Sequence, residues 1–222
     1  MKTYHVVLTG KSPLLMHWDN IEGADALRAW RETPEHKKLS VAGDDRSPAF
    51  TWMNGLYNDG AQIVLPADNN ARCLMEGGAQ VPVPGGKNGK TFKSQSQSGM
   101  MPGESAWPLL VDGQPIAMRD LDALREELDF AVHQETAQAL GFSLFVKRAK
   151  IGASKHVRVR PRFDRWAAHG TILVWDDQIT QPVLTDILRF GGDYKGLGDW
   201  RPGGKTPGPY GRFSAEVTEV RE

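Results

Sequence analysis

Apolar and polar residues alternate at both ends of the chain and take helical spacing at places between. Residues 3–9 (Thr-Tyr-His-Val-Val-Leu-Thr) form a β-rich run broken at Gly10 and Pro13, and residues 61–65 (Ala-Gln-Ile-Val-Leu) form a shorter one. After Pro66, the spacing of Ala71, Leu74 and Met75 predicts a helix, with Asp68 or Asn69 as cap and Gly77-Gly78 as stop. Leu121, Leu124 and Leu128 predict a helix over 119–129, and Ile179, Val183, Ile187 and Leu188 another over 179–190. Strands are expected at 142–148, 155–163 and 170–175, and Phe213, Ala215, Val217 and Val220 predict a closing one. Residues 20–60 are mostly polar turns around a short helical stretch, Ala24 to Arg31, and no internal repeat is visible. The order strand, helix, several strands, helix, strand predicts an α+β fold with a ferredoxin-like or RRM-like βαββαβ core, in a single domain over 1–222.

Glycine (24) and proline (14) are frequent enough to predict long loops. They concentrate first in residues 84–106, where only Phe92, Met100 and Met101 are core-forming. Such a segment buries too little apolar surface to offset its ordering entropy, so it is expected to be a mobile, thumb-like insertion. It is also basic: Lys87, Lys90 and Lys93 surround Phe92, a set able to close over a strand while the ring stacks on a base.

The chain carries 27 Lys and Arg against 27 Asp and Glu, and this balance excludes a uniformly basic, histone-like protein. The balance hides a segregation. Residues 141–165 hold Lys147, Arg148, Lys150, Lys155, Arg158, Arg160, Arg162 and Arg165 against Asp164 alone, a local charge of +7, whereas 112–135 stand at −5. In an extended strand Arg158, Arg160 and Arg162 share one face. A row of guanidinium groups repels itself unless an anion lies along it; a phosphate backbone is the commonest such partner, and the alternative is a solvated face neutralised by the acidic 112–135 segment. His156 lies in the same stretch.

The second glycine cluster, 191–212, sits between a helix and the last strand, the reverse of the strand-to-helix order a phosphate loop requires. Nucleotide hydrolysis is therefore disfavoured. Lys195, Arg201, Lys205 and Arg212 outnumber Asp193 and Asp199, Gly196 and Gly198 allow close backbone approach, and Tyr194, Trp200 and Tyr210 are stacking candidates.

This helix, Gly-x-Gly loop and closing Tyr210-Gly-Arg-Phe strand resemble the glycine-rich signature of the RAMP superfamily, the RNA-binding subunits of CRISPR effector complexes. Leu8-Thr-Gly-Lys-Ser-Pro-Leu-Leu resembles their first strand and turn, and Ile63-Val-Leu-Pro-Ala-Asp-Asn-Asn-Ala-Arg-Cys-Leu their strand and first helix. Arg160-Pro-Arg-Phe with the glycine loop also resembles short bacteriophage-encoded proteins of unassigned function. The resemblance implies a subunit that coats single-stranded RNA, or DNA, by head-to-tail self-association, alone or among the subunits of a ribonucleoprotein complex. Residues 84–106 would be the thumb inserted between bases.

Catalytic signals are sparse. None of the six histidines pairs with Cys or carboxylate at zinc-ligand spacing, and no nucleophile elbow is present. Cys73 falls on an apolar helix face, where it reads as a small core residue. The expectation is therefore a non-enzymatic binder with no cofactor and no metal. Two alternatives stand beside it. One is a metal-independent endoribonuclease using His17 or His156, and the other a phage-encoded protein that docks a partner through its acidic segment and binds no nucleic acid. One cysteine, no apolar leader and no membrane-length apolar run predict a soluble cytoplasmic protein.

Overall fold

The alternation in the first run becomes strand β1 (Lys2–Gly10), with Tyr4, Val6 and Leu8 buried and His5 and Thr9 exposed. The computed structural model describes residues 1–152 and 154–221, and it is a mixed α/β protein built on antiparallel sheets. In the larger sheet β1 lies between the closing strand β10 (Phe213–Glu219) and β9 (Ala167–Val174). The far side of β9 is a lane made of two pieces: β4 (Met100–Pro102) pairs its last residues and β5 (Ala106–Val111) its first. Beyond β5 lie β3 (Val64–Pro66) and β6 (Gln114–Pro115).

Helices α3 (Ala67–Gly78) and α6 (Gln181–Phe190) cover one face of this sheet. Cys73 and Leu74 of the first and Leu184, Ile187 and Leu188 of the second meet Leu8, Trp107, Ile172 and Phe213 in one core. Fully burying each such side chain contributes about 1.5–3 kcal/mol. The helices cross closely because Gly77 lacks a Cβ, which would run into the Ile187 carbonyl. Helix α3 starts at Ala67 directly after Pro66, with no capping side chain, so neither Asp68 nor Asn69 caps it, and it runs through Gly77-Gly78.

Several expectations need correction. Residues 84–106 are tied to the core: Phe92 is 2% exposed, α4 (Lys93–Ser98) follows it, and Met100 begins the β4 lane. Two apolar anchors and a strand partner supply what the composition lacks. The strands expected at 142–148 and 155–163 do not join the main sheet. They form a long hairpin, β7 (Ser143–Ile151) and β8 (Ser154–Phe163), in a separate three-stranded sheet with β2 (Leu14–Leu15). The expected helix at 119–129 is a 3₁₀ stretch, Met118–Arg125; Leu121 and Leu124 are buried, but Leu128 is exposed. The short stretch read at 24–31 is helix α1 (Ile21–Glu32), followed by the single turn α2 (Pro34–Lys37).

A further helix, α5 (Phe130–Ala139), was not expected, and its His133 is fully buried. The His133 Nδ1 accepts from the Trp52 indole at 3.0 Å, so its Nε2 carries the proton donated to the Glu127 carbonyl, also at 3.0 Å. Trp52 belongs to a 3₁₀ stretch, Ala49–Gly55, lying under the inner face of β8. Among the described residues no helix is long and apolar enough to cross a membrane.

Candidate functional site

The β7–β8 hairpin is a two-faced ribbon. Val159, Pro161 and Phe163 turn inward to the core, so the alternate residues Arg158, Arg160 and Arg162 share the outer face. Register places Ser143, Phe145 and Lys147 of β7 on that same face, opposite Arg162, Arg160 and Arg158 respectively. Like charges therefore stand across from each other at Lys147–Arg158, and again towards the hairpin end at Lys150–Lys155, an arrangement that costs stability.

Two carboxylates from distant parts of the chain and one local carboxylate relieve the arginines. Arg158 pairs with Asp45 at 2.8 Å, Arg160 with Asp199, and Arg162 with Asp164 at 2.7 Å. Asp45 also accepts from the backbone N–H of Val159 at 3.1 Å, and Asp44 bridges Val157. The expectation that the row needs an external anion is corrected accordingly: this chain supplies its own. It does not come from the acidic 112–135 segment, which among the described residues gives the basic stretch only Asp112, on Arg165 at 3.1 Å. Lys147, Arg148, Lys150 and Lys155 have no carboxylate partner among the described residues.

The glycine loop folds onto the arginine side of this ribbon. It leaves α6 through a π-helical turn, Gly191–Lys195. At Gly198 (φ +73°) it passes against the Leu15 carbonyl, a place a Cβ would occupy, and the next N–H, of Asp199, donates to that carbonyl at 2.8 Å. Arg201 clamps the other side: its guanidinium donates to both Glu76 oxygens of α3, at 2.7 and 3.1 Å, and to the Lys195 carbonyl at 3.1 Å. Burial pushes the Glu76 carboxyl up, but hydrogen bonds from Arg201 and Arg72 outweigh it and hold the group below the usual carboxylate range.

Between these two fixed points stands Trp200, at φ +48°. A left-handed backbone at a bulky non-glycine residue is strained and persists only where its surroundings over-determine it; such residues cluster at functional sites. Here the over-determination comes from Asp199, bonded to Arg160 and Leu15, and from Arg201, bonded to Glu76. The indole lies with its centroid 5.5 Å from Tyr210, which in turn is 5.9 Å from Phe145, and the Lys147 ammonium sits 3.2 Å from the indole centroid. The hairpin and loop enclose an open groove of about 750 Å³ whose lining includes Phe145, Lys147, Lys150, Arg160, Trp200 and Lys205.

Of the residues expected to bind nucleic acid, the groove thus gathers Lys147, Arg148, Lys150, Arg160, Gly198, Trp200, Arg201 and Lys205, with Tyr210 against Trp200. Arg201 works within the chain as a loop clamp, its side chain 14% exposed. Gly196 is buried beside Pro202 and Gly211, a backbone role, and Lys195 offers its carbonyl to Gly203 and Arg201. His156 turns its ring toward Gly43, and Lys155 lies beyond it towards the hairpin end. Arg212 is exposed near the opening turn, where its carbonyl accepts from Lys11 and Ser12. Lys87, Lys90 and Lys93 are exposed but line no part of the groove, and buried Phe92 offers no face to a base. Phe145 and Asp45 escaped the sequence reading, and Asp199 counts there only as a charge offsetting the loop bases. Phe145 alone had a signal, its two-residue offset from Lys147.

Among the described residues no three His, Cys, Asp or Glu side chains are grouped to hold a metal ion. Burial pushes the Cys73 thiol up to about 12, which suits a core residue and not a nucleophile. Compared with protein-family models and with curated proteins, the chain matches none.

Proposed function

We propose that this protein binds single-stranded nucleic acid, RNA in preference to DNA, in the groove between the β7–β8 hairpin and the glycine loop. The observation that carries the reading is Trp200, held in a strained left-handed conformation with its ring beside Tyr210, which in turn meets Phe145, and with the Lys147 ammonium over it. Once Lys147 moves from the indole to a phosphate, a base can stack on the ring; such stacking is tolerant of sequence and worth about 1–3 kcal/mol per base. Lysines 147, 150 and 205 around it would hold phosphates.

The fold is read as a ferredoxin-like core with insertions, and the reading draws its support from the lane order β10, β1, β9, then β4 with β5. With α3 after β1 and α6 after β9, the path is strand, helix, strand, strand, helix, strand, with the last strand beside the first. The β7–β8 hairpin, inserted between the second and third lanes, takes the projecting role first given to 84–106. Membership of the RAMP superfamily rests on this path and on the glycine loop. Self-association along a strand belongs to the same proposal, and complexes whose mass grows with RNA length in light scattering would support it, whereas a fixed 1:1 complex would remove it.

Gel shifts against matched RNA, DNA and duplex oligonucleotides test the binding itself. Wild type is expected to shift single strands, and Trp200→Ala to lose about tenfold or more in affinity. Equal affinity of a folded Trp200→Ala variant would overturn the groove. In the same assay, labelled RNA is expected to remain intact in EDTA; its loss would favour the endoribonuclease reading, with His17 the first residue to replace. A protein that shifts no nucleic acid would leave the partner-docking reading.

A further inference from the structure

The Trp200 groove lies on the outer face of β8, and another cleft opens at the edge of the same strand, between it and the Ala49–Gly55 stretch. The second, of about 180 Å³, opens where Arg158 replaces Arg160 as the bordering arginine, and is lined by His17, Trp18, Asp19, Asp45 and Asn54. Alternate residues of a strand are about 7 Å apart, so the two clefts are close enough to serve neighbouring nucleotides of one strand. We propose that this cleft is a second base-binding subsite, selective for bases that present an exocyclic amino group, with Trp18 as its stacking surface. The inference rests on the single-strand reading of the groove.

Trp18 has the character of a platform. Its backbone is held, the N–H donating to Gly55 at 3.0 Å, and the preceding Met16 N–H donates to Pro161 of β8 at 3.1 Å. Its ring leans on Tyr57 with centroids 6.4 Å apart, yet the residue remains 38% exposed. An anchored aromatic with an open face is what a base stacks on.

The polar groups around it suit a base edge and not a phosphate. Asp45 already holds Arg158 and the Val159 N–H, leaving this cleft no uncommitted cation. Asp19 is exposed, and it accepts no hydrogen bond from any described residue, so its carboxylate is open to an N–H donor. His17 is an exposed residue, yet partial desolvation of its ring and then the Arg160 charge push its imidazole below the ordinary value, and in the neutral form it presents one donor and one acceptor. Adenine, cytosine and guanine carry exocyclic amino donors that match these acceptors, whereas the one edge donor of uracil, N3–H, is flanked by two carbonyls that would repel the carboxylate.

Fluorescence anisotropy of labelled oligonucleotides tests this with wild type, Trp18→Ala, Trp18→Phe and Asp19→Asn, each checked for folding by circular dichroism. For oligo(A) of ten residues, Trp18→Ala should lose about tenfold, Asp19→Asn a smaller factor, and Trp18→Phe little. For oligo(U) of the same length Asp19→Asn should change nothing, and wild type should bind it more weakly than oligo(A). Oligo(A) binding left unchanged by both Trp18→Ala and Asp19→Asn would overturn the second subsite while the groove stands. An equal loss on oligo(A) and oligo(U) from Asp19→Asn would overturn its base selectivity. Failure of wild type to bind any single strand overturns the groove, and the subsite with it.

Discussion

Two sets of cations share the outer part of one hairpin, and they are treated in opposite ways. The arginines of β8 are each closed by an aspartate, from residues 45, 199 and 164. The cations of β7, Lys147, Arg148 and Lys150, have no carboxylate among the described residues, and Lys147 rests on an indole instead. Both sets contribute equally to the local charge of +7 along the chain. Only the second is open to an incoming phosphate without first breaking an ion pair. The arginine row ties the glycine loop and the 44–45 turn to the hairpin, and the lysine side is the surface that the proposed binding would use.

The largest effect should separate these sets by their salt dependence. Replacing Lys147, Arg148 and Lys150 together by Ala should flatten the slope of log K against log salt by about two units, at about 0.7 for each phosphate left without its cation on a single strand. Replacing Arg158, Arg160 and Arg162 should flatten it by less and cost more stability. Equal slopes for the two triple variants would erase the distinction.

Next in size is a change that should strengthen binding. Asp199→Asn releases Arg160 from its partner, so the slope should steepen by up to about 0.7 as a further cation becomes available. A folded Asp199→Asn variant that binds more weakly would show that the pair is needed intact to set Trp200.

Trp200 itself separates stability from binding. Trp200→Asn places a residue that tolerates the left-handed region at φ +48°. Relief of about 1 kcal/mol of strain should offset much of the missing packing, so the unfolding free energy should stay within about 1 kcal/mol of wild type while binding collapses. Chemical denaturation alongside anisotropy reads both.

The smallest expected effect is a pH dependence. The folded-state pKa of Glu76 lies below its ordinary value of 4.5, so the stability it contributes is complete above that value and is lost as pH falls through the folded pKa. Glu76→Gln should therefore cost about 1–2 kcal/mol near neutral pH, and the difference from wild type should shrink below about pH 4. A difference that stays constant with pH would detach the loop clamp from this ionisation.

Which parts were legible follows from which forces are local. Strand β1, helices α3 and α6 and strand β10 announce themselves because each presents one apolar face, and periodicity records that directly. The β4–β5 lane was hidden by its own residues. Pro102 and Pro108 break the strand pattern, although Pro108 is tolerated facing Val64, and glycine and serine crowd the segment before it. The basic stretch was visible as charge but not as partnership, since Asp45 and Asp199 lie 113 and 39 residues from the arginines they hold. The strain at Trp200 left no mark, because left-handed positions are normally sought at glycine.

The pairing of β1 with β10, from Gly10 on Phe213 to Tyr4 on Glu219, also sets a schedule for the newborn chain. At ribosomal rates of roughly 5–20 residues per second, β1 emerges about ten seconds or more before the strand that will cover one of its edges. Through that interval Tyr4, Val6 and Leu8 sit on a segment whose edge has no internal mate, so the protein passes through a stage at which it is unusually open to capture by another extended chain.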